Sequence, residues 1–246
     1  MMNWSKLEDA YGPADEIPRL LDELTPDPDA EVWSELWGRI CHQGTVYSSS
    51  FAALPTIAET ATRWSPRQRL MALILCGNII SSRDGALSGE ASREVWYPLL
   101  PKLRSATEES LRAGGWSHLD YIYLLTAWLS FIQEWFWSSC FESLANQEID
   151  LTCPNCGRSL LIAIGNQGYF AAVEDYVTKP EALRKAIAPA SPDRLQGTEH
   201  QILEWTHVGN QPLVEQALLH LCGNAACPVC DTTFNIVRRR EAQEEA

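Results

Sequence analysis

Cys153-Pro154-Asn155-Cys156-Gly157 and Cys227-Pro228-Val229-Cys230 are the two stretches that decide how the C-terminal third of the chain is interpreted. Both are Cys-x-x-Cys segments with proline after the first cysteine. Each lies near a short apolar run typical of a β-strand, 160–164 for the first and 234–237 for the second. Two-residue spacing lets both sulfur atoms of a segment point at one ion, and four thiolates match the tetrahedral preference of zinc. We therefore predict one structural zinc ion per chain. Its predicted ligands are Cys153, Cys156, Cys227 and Cys230.

The distance between the two segments is long for such a site. Residues 157–226, 70 in all, separate them, whereas zinc-binding pairs commonly have about 15–20 residues between them. The insertion must fold back to close the site, and we expect helices over 180–188 and 213–222 with a loop over 190–197. A redox-active Cys-x-x-Cys would need only one such segment before a helix, so the presence of two favours metal. Cys222 lies five residues before the second segment, where it either competes as a ligand or ends a helix.

The first 150 residues show helical periodicity and no convincing strand alternation. Apolar residues repeat at helical spacing over 17–24 and 32–40, and Asp29 is the expected cap of the second of these helices. Two further helix pairs are expected over 53–63 with 67–80, and over 97–113 with 118–131. The prolines at 18, 55 and 98 are spaced by 37 and 43 residues, which brackets the lower end of the period of about 40–47 in HEAT and armadillo repeats.

These patterns predict a mainly α protein in which a short HEAT/armadillo-like α-solenoid precedes a small mixed α/β zinc-binding domain. The predicted divisions are an N-terminal extension over 1–15, the repeat domain over 16–150, the zinc-binding domain over 151–240 and a frayed tail over 241–246. The remaining cysteines before the first segment lie on apolar helical faces, where a free thiol packs as a small hydrophobe. These are Cys41, Cys76 and Cys140.

The charge of the chain constrains its partners. It contains 246 residues with 19 Lys and Arg against 32 Asp and Glu, a net charge of −13. Binding along nucleic-acid phosphates needs a surplus of clustered basic residues, so a nucleic-acid partner is disfavoured and a basic protein partner is favoured. The local basic patch at 238–240 is offset by Glu241, Glu244 and Glu245.

The cellular location is expected to be cytoplasmic, because no basic stretch with a following apolar run opens the sequence. The most apolar segment, 119–141, is interrupted by Asp120, Gln133 and Glu134, which leaves fewer than the roughly 20 clean residues that a membrane span needs. We expect this segment to form a buried helix, and we expect no membrane partner.

Catalytic motifs are missing from the sequence. It contains no His-Glu-x-x-His, no phosphate-binding glycine loop and no Gly-x-Ser-x-Gly, so we expect a protein that is not an enzyme. The candidate partner-contact residues are His42, Gln43 and Tyr47, in a polar connection in which Gly44 is expected to end a helix. The alternative is a turn whose side chains only cap the neighbouring helices.

The segments 33–40, 42–47 and 53–55 together resemble bacterial HEAT-like repeat proteins over about the first 130 residues. The resemblance implies a helical solenoid, and related proteins act as adaptors or as immunity proteins that neutralise toxins. The two cysteine segments resemble zinc-ribbon modules. We therefore expect a non-enzymatic protein that binds a basic partner, a toxin being the most concrete candidate. The alternative is a zinc-dependent hydrolase or nucleic-acid-acting enzyme, in which the zinc is catalytic.

Overall fold

The computed structural model describes residues 2–83 and 92–245. Its α-helices are α1 Ile17–Asp22, α2 Glu31–Ile40, α3 Ser48–Arg63, α4 Leu70–Ser81, α5 Arg93–Trp96, α6 Leu100–Ala113, α7 His118–Phe131, α8 Trp135–Ala145, α9 Gly197–Val208, α10 Pro212–Leu221 and α11 Ile236–Glu244. Its strands are β1 Glu8–Asp9, β2 Gly12–Pro13, β3 Cys41–His42, β4 Thr45–Val46, β5 Glu148–Thr152, β6 Ser159–Gly165, β7 Gly168–Ala172, β8 Arg184–Ala186, β9 Asn224–Ala226 and β10 Thr233–Asn235. The predicted mainly α class is confirmed, and the C-terminal part is mixed α/β.

The chain divides into two compact units, and the division falls within α7 and α8. Unit 1 comprises Met1–Gly115 and Tyr123–Ser138, and unit 2 comprises Trp116–Ile122 and Ser139–Ala246. The domain borders drawn from sequence, 16–150 and 151–240, stay predictions.

Unit 1 is built from helices that bury one apolar face or more. In α2 the buried residues are Trp33, Leu36 and Ile40, which lie at helical spacing on one side. Helix α4 is apolar on nearly every side and is buried along most of its length. Within it, a Cβ atom on Gly77 would lie 2.9 Å from the Cα atom of Ala127 in α7. A glycine is therefore needed for the close approach of these two helices.

Two short hairpins in unit 1 correct the expectation that the first 150 residues contain no strand. Strand β1 pairs with β2, and β3 pairs with β4, both antiparallel. Between β3 and β4, Gln43 and Gly44 have φ angles of 51° and 85°. Two consecutive positive φ angles are typical of the tight turn that matches the twist of a hairpin. Gly44 therefore turns a hairpin, and the prediction that it ends a helix is wrong, because α2 already ends at Ile40.

Two helix starts also differ from their predicted positions. Helix α3 begins at Ser48 and not at the predicted residue 53, so Pro55 lies in its interior. The earlier first turn is fixed by the Ser50 hydroxyl, which accepts a hydrogen bond from the Tyr47 amide at 2.7 Å. The predicted cap of α2, Asp29, is wrong, since Ala30 occupies the N-cap position.

The helix expected to begin at Arg67 begins at Leu70 instead, as α4. The residues before it form a turn, in which the Gln68 amide donates to the Ser65 carbonyl at 2.9 Å. The helix expected over 118–131 is confirmed as α7. Whether the helix pairs of unit 1 repeat as HEAT-like units stays a prediction.

The apolar segment 119–141 forms most of α7 and α8 and is not one helix. The chain turns between them at Gln133, which has a φ of 64°. Among the described residues, no helix is long and apolar enough to cross a membrane.

Unit 2 contains an antiparallel sheet in the order β5-β6-β7-β8 and a separate hairpin of β9 and β10. The register places Leu151 opposite Leu160 and Ile162 opposite Ala171. The predicted strand over 160–164 is confirmed as part of β6. The predicted helix over 180–188 is wrong, because residues 184–186 pair with β7 as strand β8.

The C-terminal helices of unit 2 depart partly from the sequence expectations. Helix α10 confirms the helix expected over 213–222. The strand expected over 234–237 ends at Asn235, whose side-chain oxygen accepts a hydrogen bond from the Arg238 amide at 3.0 Å and starts α11. The prediction of a frayed tail over 241–246 is wrong for residues 241–244, because α11 continues to Glu244. The Arg239 side chain donates to the Thr152 carbonyl at 2.6 Å and so holds α11 against β5.

Candidate metal centre

The first cysteine segment forms the turn between β5 and β6. The Cys153 amide donates to the Arg158 carbonyl at 2.8 Å, and the Gly157 amide donates to the Cys153 carbonyl at 3.1 Å. The hydrogen bond from Gly157 to Cys153 turns the chain back on itself, which requires left-handed backbone at Gly157. This glycine has a φ of 70°. The turn therefore holds Cys153 and Cys156 on one side of a rigid loop.

The second cysteine segment forms the turn between β9 and β10 and repeats the same two hydrogen bonds. The Cys227 amide donates to the Thr232 carbonyl at 2.9 Å, and the Asp231 amide donates to the Cys227 carbonyl at 3.1 Å. Asp231 has a φ of 61°, at the position that corresponds to Gly157. Its carboxylate also forms an ion pair with Lys185 of β8. This ion pair ties the second turn to the sheet that carries the first.

The four predicted ligands come together in one cluster. Sγ of Cys153 lies 3.6 Å from Sγ of Cys230, and Sγ of Cys156 lies 3.8 Å from Sγ of Cys227. All four sulfur atoms lie within 4.8 Å of one another. Metal–sulfur bonds of about 2.3 Å in a regular tetrahedron place the sulfur atoms roughly 3.8 Å apart. The cluster therefore fits a metal ion, without a disulfide among these cysteines.

The surroundings of the sulfur atoms are uneven. Cys153 and Cys227 are buried, Cys230 is half-buried, and Cys156 is exposed. Hydrogen-bonding contacts with the side chain and backbone of Thr232, together with the Asn155 side chain, lower the pKa of the Cys230 thiol to about 5. In contrast, despite a backbone hydrogen bond from Arg158, desolvation and contacts with the other three cysteines raise the pKa of Cys156 to about 11. Because metals bind the thiolate, Cys230 is the more readily ionised ligand of the two.

No protein-family model, no curated protein and no solved structure matches the chain.

Four thiolates around one ion complete a tetrahedral shell, which leaves no position for a water molecule or a substrate. The chemistry that this arrangement supplies is a cross-link between two hairpins far apart in sequence.

The other cysteines lie outside the cluster. Cys41, Cys76, Cys140 and Cys222 are all buried. Burial raises the pKa of the Cys140 thiol to about 12, and it raises the pKa values of Cys76 and Cys222 further above their usual range. Cys222 caps the end of α10 and does not belong to the four-cysteine cluster. Cys41 lies in β3 and not on a helix, although it packs in the core as expected.

The candidate partner-contact residues all belong to the β3–β4 hairpin and its exit. His42 is half-buried, with Nδ1 3.2 Å from the Gly38 carbonyl oxygen, and its ring meets the edge of the Tyr11 ring. Gln43 is exposed in the turn, and Tyr47 precedes α3. The role of His42, Gln43 and Tyr47 in binding stays a prediction.

The residues that support the ligands were not predicted from the sequence. Asn155 and Thr232 contact Cys230, and Lys185 forms an ion pair with Asp231. One signal was present in the sequence. Each segment is followed by a residue that tolerates left-handed backbone, Gly157 in the first and Asp231 in the second. The contribution of Lys185 had no local signal, because β8 is brought to the site by pairing with β7.

Proposed function

We propose that the chain is a non-enzymatic protein, stabilised by one structural zinc ion, that binds a basic protein partner. The closed four-sulfur donor set carries the first part of this proposal. Zinc is favoured among metals because it has no redox chemistry, accepts tetrahedral thiolate shells and stabilises small hairpin modules of this kind.

The distribution of charge supports the second part. Residues 15–35, which we call the acidic segment, contain eight carboxylates and one arginine, so they carry −7 of the net charge of −13. Seven of these carboxylates are exposed, and they belong to α1, α2 and the turns beside them. The one arginine is already neutralised locally, because Arg19 pairs with Glu16 at 3.0 Å and with Glu23 at 2.7 Å. A surface of this sign attracts a basic partner and speeds its association.

The proposed binding surface belongs to a helical unit that we interpret as a short HEAT-like solenoid. Solenoids present extended surfaces to protein partners, which agrees with a binding role. A bacterial toxin is the most concrete candidate, because some relatives of the HEAT-like repeat proteins that the sequence resembles act as toxin immunity proteins.

The experiment compares affinity purifications from native-host lysate with the wild-type chain and two triple variants. The first, Asp15→Asn/Asp22→Asn/Glu31→Gln, neutralises exposed carboxylates of the acidic segment. The control, Asp150→Asn/Glu181→Gln/Glu245→Gln, removes the same charge from exposed positions of unit 2. We expect a basic protein to be recovered with the wild type and the control, and recovered several-fold less with the first variant.

Absence of any protein partner above background contradicts the proposal, as does equal loss with both variants. The zinc enzyme alternative requires a different coordination. X-ray absorption at the zinc edge that showed three protein ligands and one water molecule would favour the enzyme and contradict the structural role.

A further inference from the structure

A cavity of about 480 Å³ in unit 2 lies apart from the four-cysteine cluster. Its walls are the loop before α9, the first turn of α9, the end of α10 and the first turn of α11. This volume falls within the range of small-molecule sites, roughly 300–1,000 Å³.

Two guanidinium groups line this cavity, from Arg194 before α9 and Arg238 in the first turn of α11. Both residues are exposed, and in the described part of the chain neither side chain forms an ion pair or a hydrogen bond. Three other arginines of unit 2 are held by the protein itself: Arg184 and Arg239 donate to backbone carbonyls, and Arg240 pairs with Glu244 at 3.1 Å. In a chain of net charge −13, two arginines at one cavity are a local concentration of positive charge, although Asp193 attracts the neighbouring Arg194 and partly offsets its charge.

The wall between the arginines is held in place. The Asn235 side chain donates to the Cys222 carbonyl at 2.8 Å and to the Gly223 carbonyl at 3.0 Å, and its oxygen accepts from the Arg238 amide. The side chain thus joins the end of α10 to the start of α11. A ligand would meet a cavity whose backbone is already positioned, which lowers the cost of binding.

The remaining ionisable groups at the cavity are Glu199 and the Cys222 thiol. Burial raises the pKa of Cys222 above its usual range, so this thiol is neutral at pH 7 and does not repel an anion. Glu199 lies in the first turn of α9 and partly opposes the two arginines. The ordinary charges of the two arginines and Glu199 leave the lining with a net charge of +1.

We propose that this cavity binds the phosphate group of a small phosphorylated molecule. Guanidinium groups recognise phosphate and carboxylate by paired hydrogen bonds. Two of them, presented by separate elements, suit the three acceptor oxygens of a phosphate monoester better than the two of a carboxylate. The first turns of α9 and α11 also favour an anion at this place. The volume exceeds that of a phosphate group, so the remainder of the cavity accommodates the body of the molecule.

The test is titration calorimetry on the full metal-bound chain at constant ionic strength, with inorganic phosphate, glycerol 3-phosphate and acetate as probes. We expect saturable binding of both phosphates, tighter for glycerol 3-phosphate, and much weaker binding of acetate. Arg194→Gln and Arg238→Gln each weaken binding by about tenfold, since each removes charge-assisted hydrogen bonds. Glu199→Gln tightens it by about threefold, because a repulsive charge is removed.

The matched control is Arg63→Gln, which removes an exposed arginine of unit 1. It leaves phosphate affinity unchanged if the cavity is the site. The proposal is overturned if neither phosphate binds up to roughly 10 mM, if acetate binds as tightly as phosphate, or if glycerol 3-phosphate is excluded while inorganic phosphate binds. Equal weakening by Arg63→Gln and Arg194→Gln also overturns it. Loss of folding could weaken phosphate binding in the arginine variants, but it could not tighten binding in Glu199→Gln. The two opposite effects together therefore distinguish a phosphate site from loss of folding.

Discussion

Replacing Cys156 by serine removes one ligand of the metal while disturbing the fold very little. Cys156 is the exposed member of the cluster, so its side chain contributes little packing that the substitution could remove. The lost stability therefore reports the cross-link. The shortest loop that the metal closes between the two cysteine segments runs from Cys156 to Cys227, about 70 residues. For a cross-link that closes such a loop, the chain-entropy relation gives about 4 kcal/mol at 25 °C.

Amide hydrogen exchange measures this loss where it occurs. The amides of Cys153 and Cys227 donate to carbonyls within the two cysteine turns. A loss of about 4 kcal/mol speeds exchange by up to roughly a thousandfold for amides that exchange only when unit 2 opens. We expect this acceleration in the peptides covering β5, β6, β9 and β10. The peptides covering α2 and α4 of unit 1 keep their protection.

Two controls separate the metal from the cysteine itself. In chelated protein Cys156→Ser should have almost no further effect, because mutation and chelation remove the same interaction. Cys222→Ser lies outside the cluster and should leave the metal content unchanged, whatever packing it costs. A stabilising cross-link through Cys156 is refuted if Cys156→Ser retains a full complement of metal. It is also refuted if the variant loses the metal and exchange in unit 2 changes by less than about threefold, well short of the change that the cross-link requires.

Three further predictions concern packing, backbone and pH. Gly77→Val destabilises unit 1 by about 3 kcal/mol or more in urea unfolding, because its Cβ would meet the backbone of Ala127; a loss below about 1 kcal/mol would show that the helices separate easily. Gly157→Ala costs about 1 kcal/mol in urea unfolding because its φ is 70°, and an unchanged free energy of unfolding would contradict the argument from backbone strain. Burial raises the pKa of Cys140 from its ordinary value near 9 to about 12, so its contribution to stability is complete below pH 9 and is lost as the pH rises from 9 towards 12. Cys140→Ala removes this thiol's share of the loss of stability between pH 9 and pH 12. If the variant and the wild type lose stability equally over that range, burial does not raise the pKa of Cys140.

The parts of the structure that follow from short-range patterns were predictable from the sequence. Two-residue spacing and a following left-handed residue build the same turn twice, so each cysteine segment presents its two sulfur atoms together. The meeting of the two segments in one cluster was expected from the four-ligand preference of zinc. Helices α2, α7 and α10 follow from apolar residues at helical spacing.

The parts that depend on distant contacts were not predictable. The segment 180–188 contains a strand because β7 offers an edge at which Arg184–Ala186 pairs, a partner that local propensity does not reveal. Residues 241–244 are helical because they continue α11, which Asn235 caps and which Arg239 holds to the backbone of β5. Helix α9 was missed because only three of its residues are buried, Ile202, Leu203 and Thr206, so its apolar pattern is weak.

The most direct test of the metal centre is native mass spectrometry of the purified chain, with thiol alkylation before and after chelation. We expect one zinc ion per chain and no reactive thiols in the folded protein. Chelation should then expose the thiols of Cys153, Cys156, Cys227 and Cys230. The four cysteines outside the cluster are buried and should react only after unfolding; these are Cys41, Cys76, Cys140 and Cys222. A chain that carries no metal, or a disulfide between the two cysteine segments, would contradict a structural zinc site formed by the four cysteines.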